Sequence, residues 1–174
     1  ERVELMDDRV DLLDRSIRFY LTHLSKSGLS PEEANRQMEI LACTSNLESI
    51  GDIIDKNLME LARKKARKCV QFSPKGQAEI ADLHARILEN LETAMSAFTT
   101  RDRDMAERVF QNKARVKDLE KEYNRRHIER LESGLSESFE TSSIHLDVLT
   151  NLMRINTHVA NIAYAVLSST QPPP

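Results

Sequence analysis

Apolar side chains recur at helical spacing along almost the whole chain. In the first segment they stand three or four residues apart, which places them on one face of a helix: Val3, Met6, Val10, Leu13, Ile17, Leu21 and Leu24. Gly28 is a helix-ending residue, and Ser30-Pro31-Glu32-Glu33 supplies an N-cap, a first-position proline and a capping-box glutamate. The pattern predicts one helix from about Glu1 to Lys26 and a second from Pro31 to about Lys68.

Three further helices follow from the same reasoning, with predicted bounds of 74–100, 102 or 104 to 134, and 136–168. The chain contains 4 Gly and 5 Pro, which is too few turn residues for a strand-rich fold. Short loops make neighbouring helices antiparallel. We therefore predict an all-α, up-and-down bundle of five helices.

An internal repeat relates the two halves of the chain. Ser27-Gly28-Leu29-Ser30 recurs as Ser133-Gly134-Leu135-Ser136, an offset of 106 residues. With one deletion, the segment 46–50 aligns with 151–155. Helices one and two therefore resemble helices four and five, and helix three precedes the second pair.

The repeat predicts two three-helix units, the first of which lacks its first helix upstream of Glu1. Residues 1–170 would form a single domain, with 1–68 as the incomplete first repeat, 74–170 as the second repeat and 171–174 as a tail. A missing helix would leave an apolar groove on the first repeat. A neighbouring copy of the chain fits such a groove, so a homo-oligomer is one expected partner.

Composition and charge exclude several classes of function. The formal net charge is -3, so there is no basic footprint for nucleic acid. No apolar run reaches the length of a transmembrane helix. The five histidines are scattered, and neither a glycine-rich phosphate loop nor a nucleophile motif occurs. We expect a protein that is not an enzyme and binds no nucleic acid.

Four carboxylates lie on or beside apolar stripes. Glu48 and Asp52 are four residues apart on a second apolar face of helix two, where a buried carboxylate is costly unless it is paired or bound to a cation. Asp7 and Asp11 have the same spacing at the edge of the stripe on helix one. If the two helices pack antiparallel, the pairs meet and offer hard oxygen donors that suit Fe, Mn, Mg or Ca.

Two other interpretations of these carboxylates stay open. Asp7 and Asp11 fit ordinary solvated residues beside arginines, and Glu48 and Asp52 fit an ion pair with an arginine. In the second repeat all four equivalent positions have changed, to Lys113, Lys117, Met153 and Thr157. The sequence therefore predicts a metal site in the first repeat and no equivalent in the second.

The segment Leu47-Glu48-Ser49-Ile50-Gly51-Asp52 resembles the PhoU family, whose helix reads roughly L-E-R-I-G-D followed by H-x-x-N-I-A. In the second repeat 152–158 and Asn161-Ile162-Ala163 are similar to the same motif. Phe72-Ser73-Pro74-Lys75-Gly76 and the run from Thr141 to Asp147 resemble the PhoU-like tail of sodium-dependent phosphate cotransporters.

The resemblance implies a PhoU-like bundle that binds metal through Glu48, Asp52, Asp7 and Asp11. It implies a cytoplasmic regulatory domain of a sodium/phosphate cotransporter-type protein, at the inner membrane, whose partner is an upstream transmembrane transporter domain of the same polypeptide. The alternatives are a free-standing cytosolic regulator of phosphate uptake and a metal-binding helical scaffold.

Overall fold

A computed structural model describes residues 2–134 and 136–169 of the chain, and every regular element in that range is helical. The α-helices are α1 (Arg2–Leu24), α2 (Pro31–Asp52), α3 (Met59–Arg67), α4 (Pro74–Thr100), α5 (Arg103–Glu132) and α6 (Ser136–Ser169). A short 3-10 turn, Ser25–Ser27, follows α1. A π-helical segment, Ile53–Leu58, joins α2 and α3 into one rod, so the prediction of five helical rods is confirmed. The predicted tail from Gln171 lies outside the described residues.

The helix ends follow the capping residues of the sequence. Ser30 Oγ accepts a hydrogen bond from the Glu33 backbone N–H, and Glu33 returns one by accepting from the Ser30 N–H. Gly28 adopts a left-handed φ of 76°, a conformation that favours glycine and ends the preceding helix. The side chains of Ser73 and Asp102 cap α4 and α5 by accepting a hydrogen bond from the backbone N–H of Gly76 and Met105, respectively, without a reciprocal bond. The predicted starts of α2, α4 and α5 are therefore confirmed by local hydrogen bonding.

The core lies mainly in the second repeat. α4, α5 and α6 pack against one another as a three-helix bundle, and α2 lies on the opposite side of α6. α1 packs against α2 and the π segment. The rod that begins with α2 therefore has a neighbour on two faces, as its two apolar stripes predicted. The first repeat contributes a helical hairpin rather than a three-helix bundle. None of the described helices combines the length and apolar character that crossing a bilayer needs.

Candidate metal centre

Three carboxylates converge between the first half of α1 and the C-terminal end of α2. Asp7 and Asp11 are one helical turn apart on α1, and Asp52 is the last residue of α2. One oxygen from each of the three lies within 4.8 Å of the others, and all three residues are half-buried. We call Asp7, Asp11 and Asp52 the carboxylate cluster. Among the described residues, this is the one group of three His, Cys, Asp or Glu side chains whose ligand atoms lie this close together.

The π segment begins directly after Asp52 and adds two charged residues beside the cluster. Asp55 lies in the first turn of this segment, and its Oδ1 is buried without a hydrogen-bond partner. Lys56 donates a hydrogen bond to Asp52, with which it forms an ion pair. π-helical turns are rare and often occur at functional sites. Here the segment places a further carboxylate and an ammonium group next to the three aspartates.

The cluster carries more negative charge than its surroundings compensate. The pKa of Asp7 is raised, first because burial removes water from its carboxylate and then because Asp11, Asp52 and Asp55 are negatively charged; Lys56 opposes this shift. The Oδ1 atoms of Asp7 and Asp11 are buried without hydrogen-bond partners. Unpartnered carboxylate oxygens that face one another are what a hard cation requires, so the donor set fits a metal ion.

Gly51 allows the two helices to approach at this point. A Cβ atom at position 51 would lie 2.7 Å from Oδ1 of Asp7 and 3.8 Å from Cγ1 of Val10. Asp7 Oδ1 therefore reaches the backbone of α2 through space that any other residue would fill. The glycine of the sequence motif has a direct geometric role in bringing Asp7 to Asp52.

Glu48 lies outside the carboxylate cluster, one turn before Asp52 on α2. Ser49 Oγ is 3.4 Å from Glu48 Oε2 and donates a hydrogen bond to it. Farther away, Arg18 pairs mainly with Asp14, and the charge of Glu48 makes a smaller contribution to the raised pKa of Arg18. The structure thus brings together three of the four residues that the sequence predicted as ligands, and it adds the charge of Asp55 beside them, which the sequence motif did not include.

A second polar cluster, which no spacing in the sequence indicates, is buried in the other repeat. Arg130 on α5 donates two hydrogen bonds to Glu79 on α4, at 2.8 and 2.6 Å. His145 Nε2 lies 3.6 Å from the same carboxylate, and the His145 ring stacks on His127 with 4.7 Å between centroids. Burial lowers the pKa of His145 to about 4. These residues come from three helices and share no sequence spacing, so the histidines looked unremarkable in the sequence.

Comparisons with known proteins agree with this fold and with the sequence motif. The PhoU domain model matches residues 80–166. The putative inorganic phosphate export protein YjbB of Salmonella typhimurium is 37% identical over 164 residues, which is 94% of this chain but 30% of that protein. The Escherichia coli K12 protein of the same name is 35% identical over the same length. The chain thus spans less than a third of these relatives.

Two further matches are with proteins in which the shared region makes up most of the length. The phosphate-specific transport system accessory protein PhoU homolog 1 of Thermotoga maritima is 24% identical over 162 residues, 68% of that protein. The crystal structure of PhoU from Pseudomonas aeruginosa superposes with a TM-score of 0.86 at 22% identity, covering 97% of this chain and 79% of that one. This second likeness supports the fold.

Proposed function

The chain belongs to the PhoU family, and on that premise we propose that it is a helical accessory domain that regulates phosphate transport. The family match over residues 80–166 carries this proposal. Its relatives are named as a phosphate export protein and as an accessory protein of a phosphate-specific transport system. Both names support a role in phosphate transport. In this proposal the domain acts by binding a transporter and altering its activity.

The accessory-protein form of this function has the stronger support. The Thermotoga relative carries that description in its name, and this chain spans 68% of its length. In that form, the domain binds a separate phosphate transporter from the cytoplasmic side of the membrane.

A second form places the domain within a longer transport protein. The phosphate export proteins have 70% of their length outside the matched region, which leaves ample room for a transport domain. The sodium-dependent cotransporter that the sequence motifs suggested is a narrower version of this form. We retain it as the alternative.

The carboxylate cluster would hold the cation in either form. Asp7, Asp11 and Asp52 would supply the donor oxygens, and the expected ions are Fe, Mn, Mg or Ca. The nearby charge of Asp55 would add to the attraction for a cation. A bound cation would offset the repulsion among these groups. Because two of the donors are on α1 and the third is on α2, the ion would hold α1 against the rest of the domain.

Phosphate flux tests the regulatory function. The 174-residue chain is expressed in a bacterial host that lacks its own PhoU proteins, and uptake of radiolabelled phosphate is measured against an empty vector. We expect the chain to lower the initial uptake rate. An unchanged rate at equal transporter abundance would refute the accessory form. The longer form is then tested by removing this domain from a purified export-type relative and measuring efflux from proteoliposomes.

Metal content tests the cluster independently of phosphate flux. The purified chain is dialysed against chelator, and Mn²⁺, Mg²⁺ or Ca²⁺ is titrated by calorimetry. We expect one saturable site whose affinity falls strongly in Asp52→Asn and in Asp7→Asn. Glu48→Gln should keep the affinity if the carboxylate cluster alone binds the ion. A loss in this variant would instead favour the sequence prediction, which counts Glu48 among the ligands. Equal loss in Asp118→Asn, a change of an exposed aspartate on α5, would show that binding is nonspecific.

A further inference from the structure

The Lys56 ammonium group faces the carboxylate cluster from the π segment. It donates a hydrogen bond to Asp52, four residues earlier, and forms an ion pair with it. An acidic residue four positions before a basic one is the favourable orientation for such a pair on a helix. The charges of Asp7 and Asp11 act on the same ammonium group. Lys56 therefore interacts with all three aspartates of the cluster, although it is bonded to one of them.

The cluster keeps the Lys56 side chain positively charged. The hydrogen bond to Asp52 raises the pKa of Lys56, and the charges of the three aspartates raise it further, although partial loss of hydration opposes the shift. An ammonium group with a raised pKa stays protonated at neutral pH. In return, the charge of Lys56 acts against the raised pKa of Asp7. Lys56 and the cluster therefore stabilise each other's charged forms.

One ammonium group does not compensate the cluster fully. Lys56 is bonded to Oδ1 of Asp52, whereas the Oδ1 atoms of Asp7 and Asp11 are buried without hydrogen-bond partners. Asp55 adds a fourth negative charge, which contributes to the raised pKa of Asp7. A single positive charge therefore faces four negative ones. A multivalent cation with carboxylate ligands would balance these charges better than the ammonium group does.

The Lys56 side chain can leave Asp52 without a change of fold. The side chain of Lys56 is 61% exposed and that of Asp52 is 33% exposed, so the pair lies at the protein surface. Lysine has a flexible four-carbon stem and a strongly hydrated ammonium group. Exposed ion pairs of this kind contribute little to stability and are screened by salt. The ammonium group therefore has water to move into when another cation reaches Asp52.

The internal repeat associates Lys56 with the carboxylates. With the deletion of one residue, Asp52 and Lys56 of the first repeat correspond to Thr157 and Asn161 of the second. Both of these residues are uncharged, and the Asn161 amide donates a hydrogen bond to Asn46 Oδ1 at 3.3 Å. The lysine thus occurs in the repeat that has the carboxylates and is absent from the repeat that lacks them. This pattern indicates that the lysine and the cluster act together.

We propose that the Lys56 ammonium group is the built-in counter-ion of the carboxylate cluster, and that it must leave Asp52 before a metal ion binds there. This inference rests on the cation site of the proposed function. A monovalent ion brings no more charge than the ammonium group that it would replace, whereas a divalent ion brings twice as much. Lys56 therefore selects for multivalent cations and raises the concentration at which they bind.

Calorimetric titration of the 174-residue chain with Mn²⁺ tests the competition. Lys56→Met removes the charge and Lys56→Arg keeps it, and the three residue types have similar helix propensities. We expect Lys56→Met to bind Mn²⁺ about tenfold more tightly than the unmodified chain at low ionic strength, and Lys56→Arg to bind about as the unmodified chain does. The gain in Lys56→Met should shrink at high ionic strength, because salt screens the exposed charge.

Lys121→Met is the matched control for the loss of a lysine. Lys121 is an exposed lysine that forms an ion pair with Asp118 on α5, in the second repeat. Its substitution should leave the affinity for Mn²⁺ unchanged. In chelator, Lys56→Met should lower the midpoint of thermal unfolding more than Lys121→Met does, because it leaves the repulsion within the cluster without a counter-ion. Saturating Mn²⁺ should remove that difference.

Amine labelling follows the ammonium group itself. The unmodified chain is treated with an acetylating N-hydroxysuccinimide ester, and acetylation of each lysine is measured by peptide mass spectrometry. Labelling of Lys56 should rise severalfold when saturating Mn²⁺ is added, because the amine is released from its hydrogen bond to Asp52. Labelling of Lys121 should stay constant. Unchanged labelling of Lys56 while calorimetry shows bound metal would overturn the proposed exchange.

The titrations distinguish failure of this inference from failure of the cation site. Equal affinities of Lys56→Met and the unmodified chain would overturn the role of Lys56 and leave the cation site in place. Binding by Lys56→Met alone would support the inference most strongly, since Lys56 would then suffice to exclude the ion. Absence of binding in both proteins would refute the cation site and this inference with it, whatever the phosphate flux measurement shows.

Discussion

Oδ1 of Asp7 on α1 lies 2.7 Å from the point where a Cβ atom at Gly51 of α2 would stand. The missing side chain of Gly51 therefore leaves the space that the Asp7 carboxylate occupies between α1 and α2, at the level of the carboxylate cluster. The corresponding residue in the second repeat is Asn156, which is fully buried and accepts a hydrogen bond from Asn90 at 3.2 Å. At one aligned position, therefore, the first repeat leaves space for a carboxylate and the second fills the space with an amide.

Gly51→Ala tests whether that space matters for a cation. The methyl group would displace the Asp7 carboxylate, which is the flexible end of a side chain, so we expect the fold to be retained. We predict that the affinity for Mn²⁺ falls by about tenfold, the lower end of what disturbing the supports of a metal ligand costs. Calorimetric titration gives the affinity. Ser49→Ala on the same helix is the control, and equal affinities in Gly51→Ala and the unmodified chain would contradict the role of Gly51.

The raised pKa of Asp7 predicts how the metal-free protein responds to pH. A carboxyl group whose pKa is higher in the folded than in the unfolded state destabilises the fold when it is ionised. In chelator, its contribution to the free energy of unfolding should therefore increase as the pH falls through the folded pKa towards 3.8, the ordinary pKa of an aspartate. A bound cation favours the ionised form, so with saturating Mn²⁺ the dependence should reverse and acid should destabilise the protein.

Asp7→Asn isolates this contribution from those of other groups. Thermal denaturation between pH 7 and pH 4.5 is compared for the unmodified chain and the variant, with and without metal. The variant should be more stable than the unmodified chain at pH 7 in chelator, and the difference should shrink on acidification. A difference that stayed constant with pH would show that Asp7 does not have a raised pKa.

The sequence predicted the fold well because its information is local. Hydrophobic period, Gly28 and the caps at Ser30, Ser73 and Asp102 each act within a few residues, and each appears in the structure as expected. Asp7, Asp11 and Asp52 were accessible to the same reasoning because each pair of carboxylates follows helical spacing.

The remaining site residues depend on geometry that sequence spacing does not contain. Glu48 satisfies the four-residue spacing but lies one turn before Asp52, where its charge acts on Arg18 of α1 and not within the carboxylate cluster. Asp55 lies in the π segment, whose wider turn does not follow from residue type. The pairing of Glu79 with Arg130 joins residues 51 positions apart on different helices. Such contacts follow from tertiary packing. No regular spacing in the sequence relates the two positions, so the sequence alone does not reveal the pair.

The buried ion pair of Glu79 and Arg130 predicts a strong asymmetry between single and double substitutions. Glu79→Gln would leave the Arg130 guanidinium buried without its negative partner, so we expect a loss of about 3–5 kcal/mol in the free energy of unfolding. Glu79→Leu with Arg130→Met replaces both charges with apolar side chains of similar size and should lose much less. Urea denaturation measures both. A double variant as unstable as Glu79→Gln would contradict this account of the pair.

His145 predicts a second, independent pH dependence. Its ring is buried, both ring nitrogens lack hydrogen-bond partners, and burial lowers its pKa from 6.5 to about 4. A base with a lowered pKa in the folded state contributes its full stability above the unfolded pKa and loses it as the pH falls from 6.5 towards 4. The loss over that window should be on the order of 3 kcal/mol.

His145→Phe removes the titrating group but keeps a ring of similar shape between Phe72 and His127. Because neither ring nitrogen makes a well-formed hydrogen bond and Nε2 only approaches the Glu79 carboxylate at 3.6 Å, the variant should match the unmodified chain at pH 7 to within about 1 kcal/mol. It should then be the more stable of the two at pH 5, since it has no proton to bind on unfolding. His127→Phe is the contrast, because His127 Nε2 shares a 2.9 Å hydrogen bond with Ser142 Oγ and its loss should destabilise the fold at both pH values. Parallel pH dependence of the unmodified chain and His145→Phe in urea denaturation would show that His145 is not the group responsible.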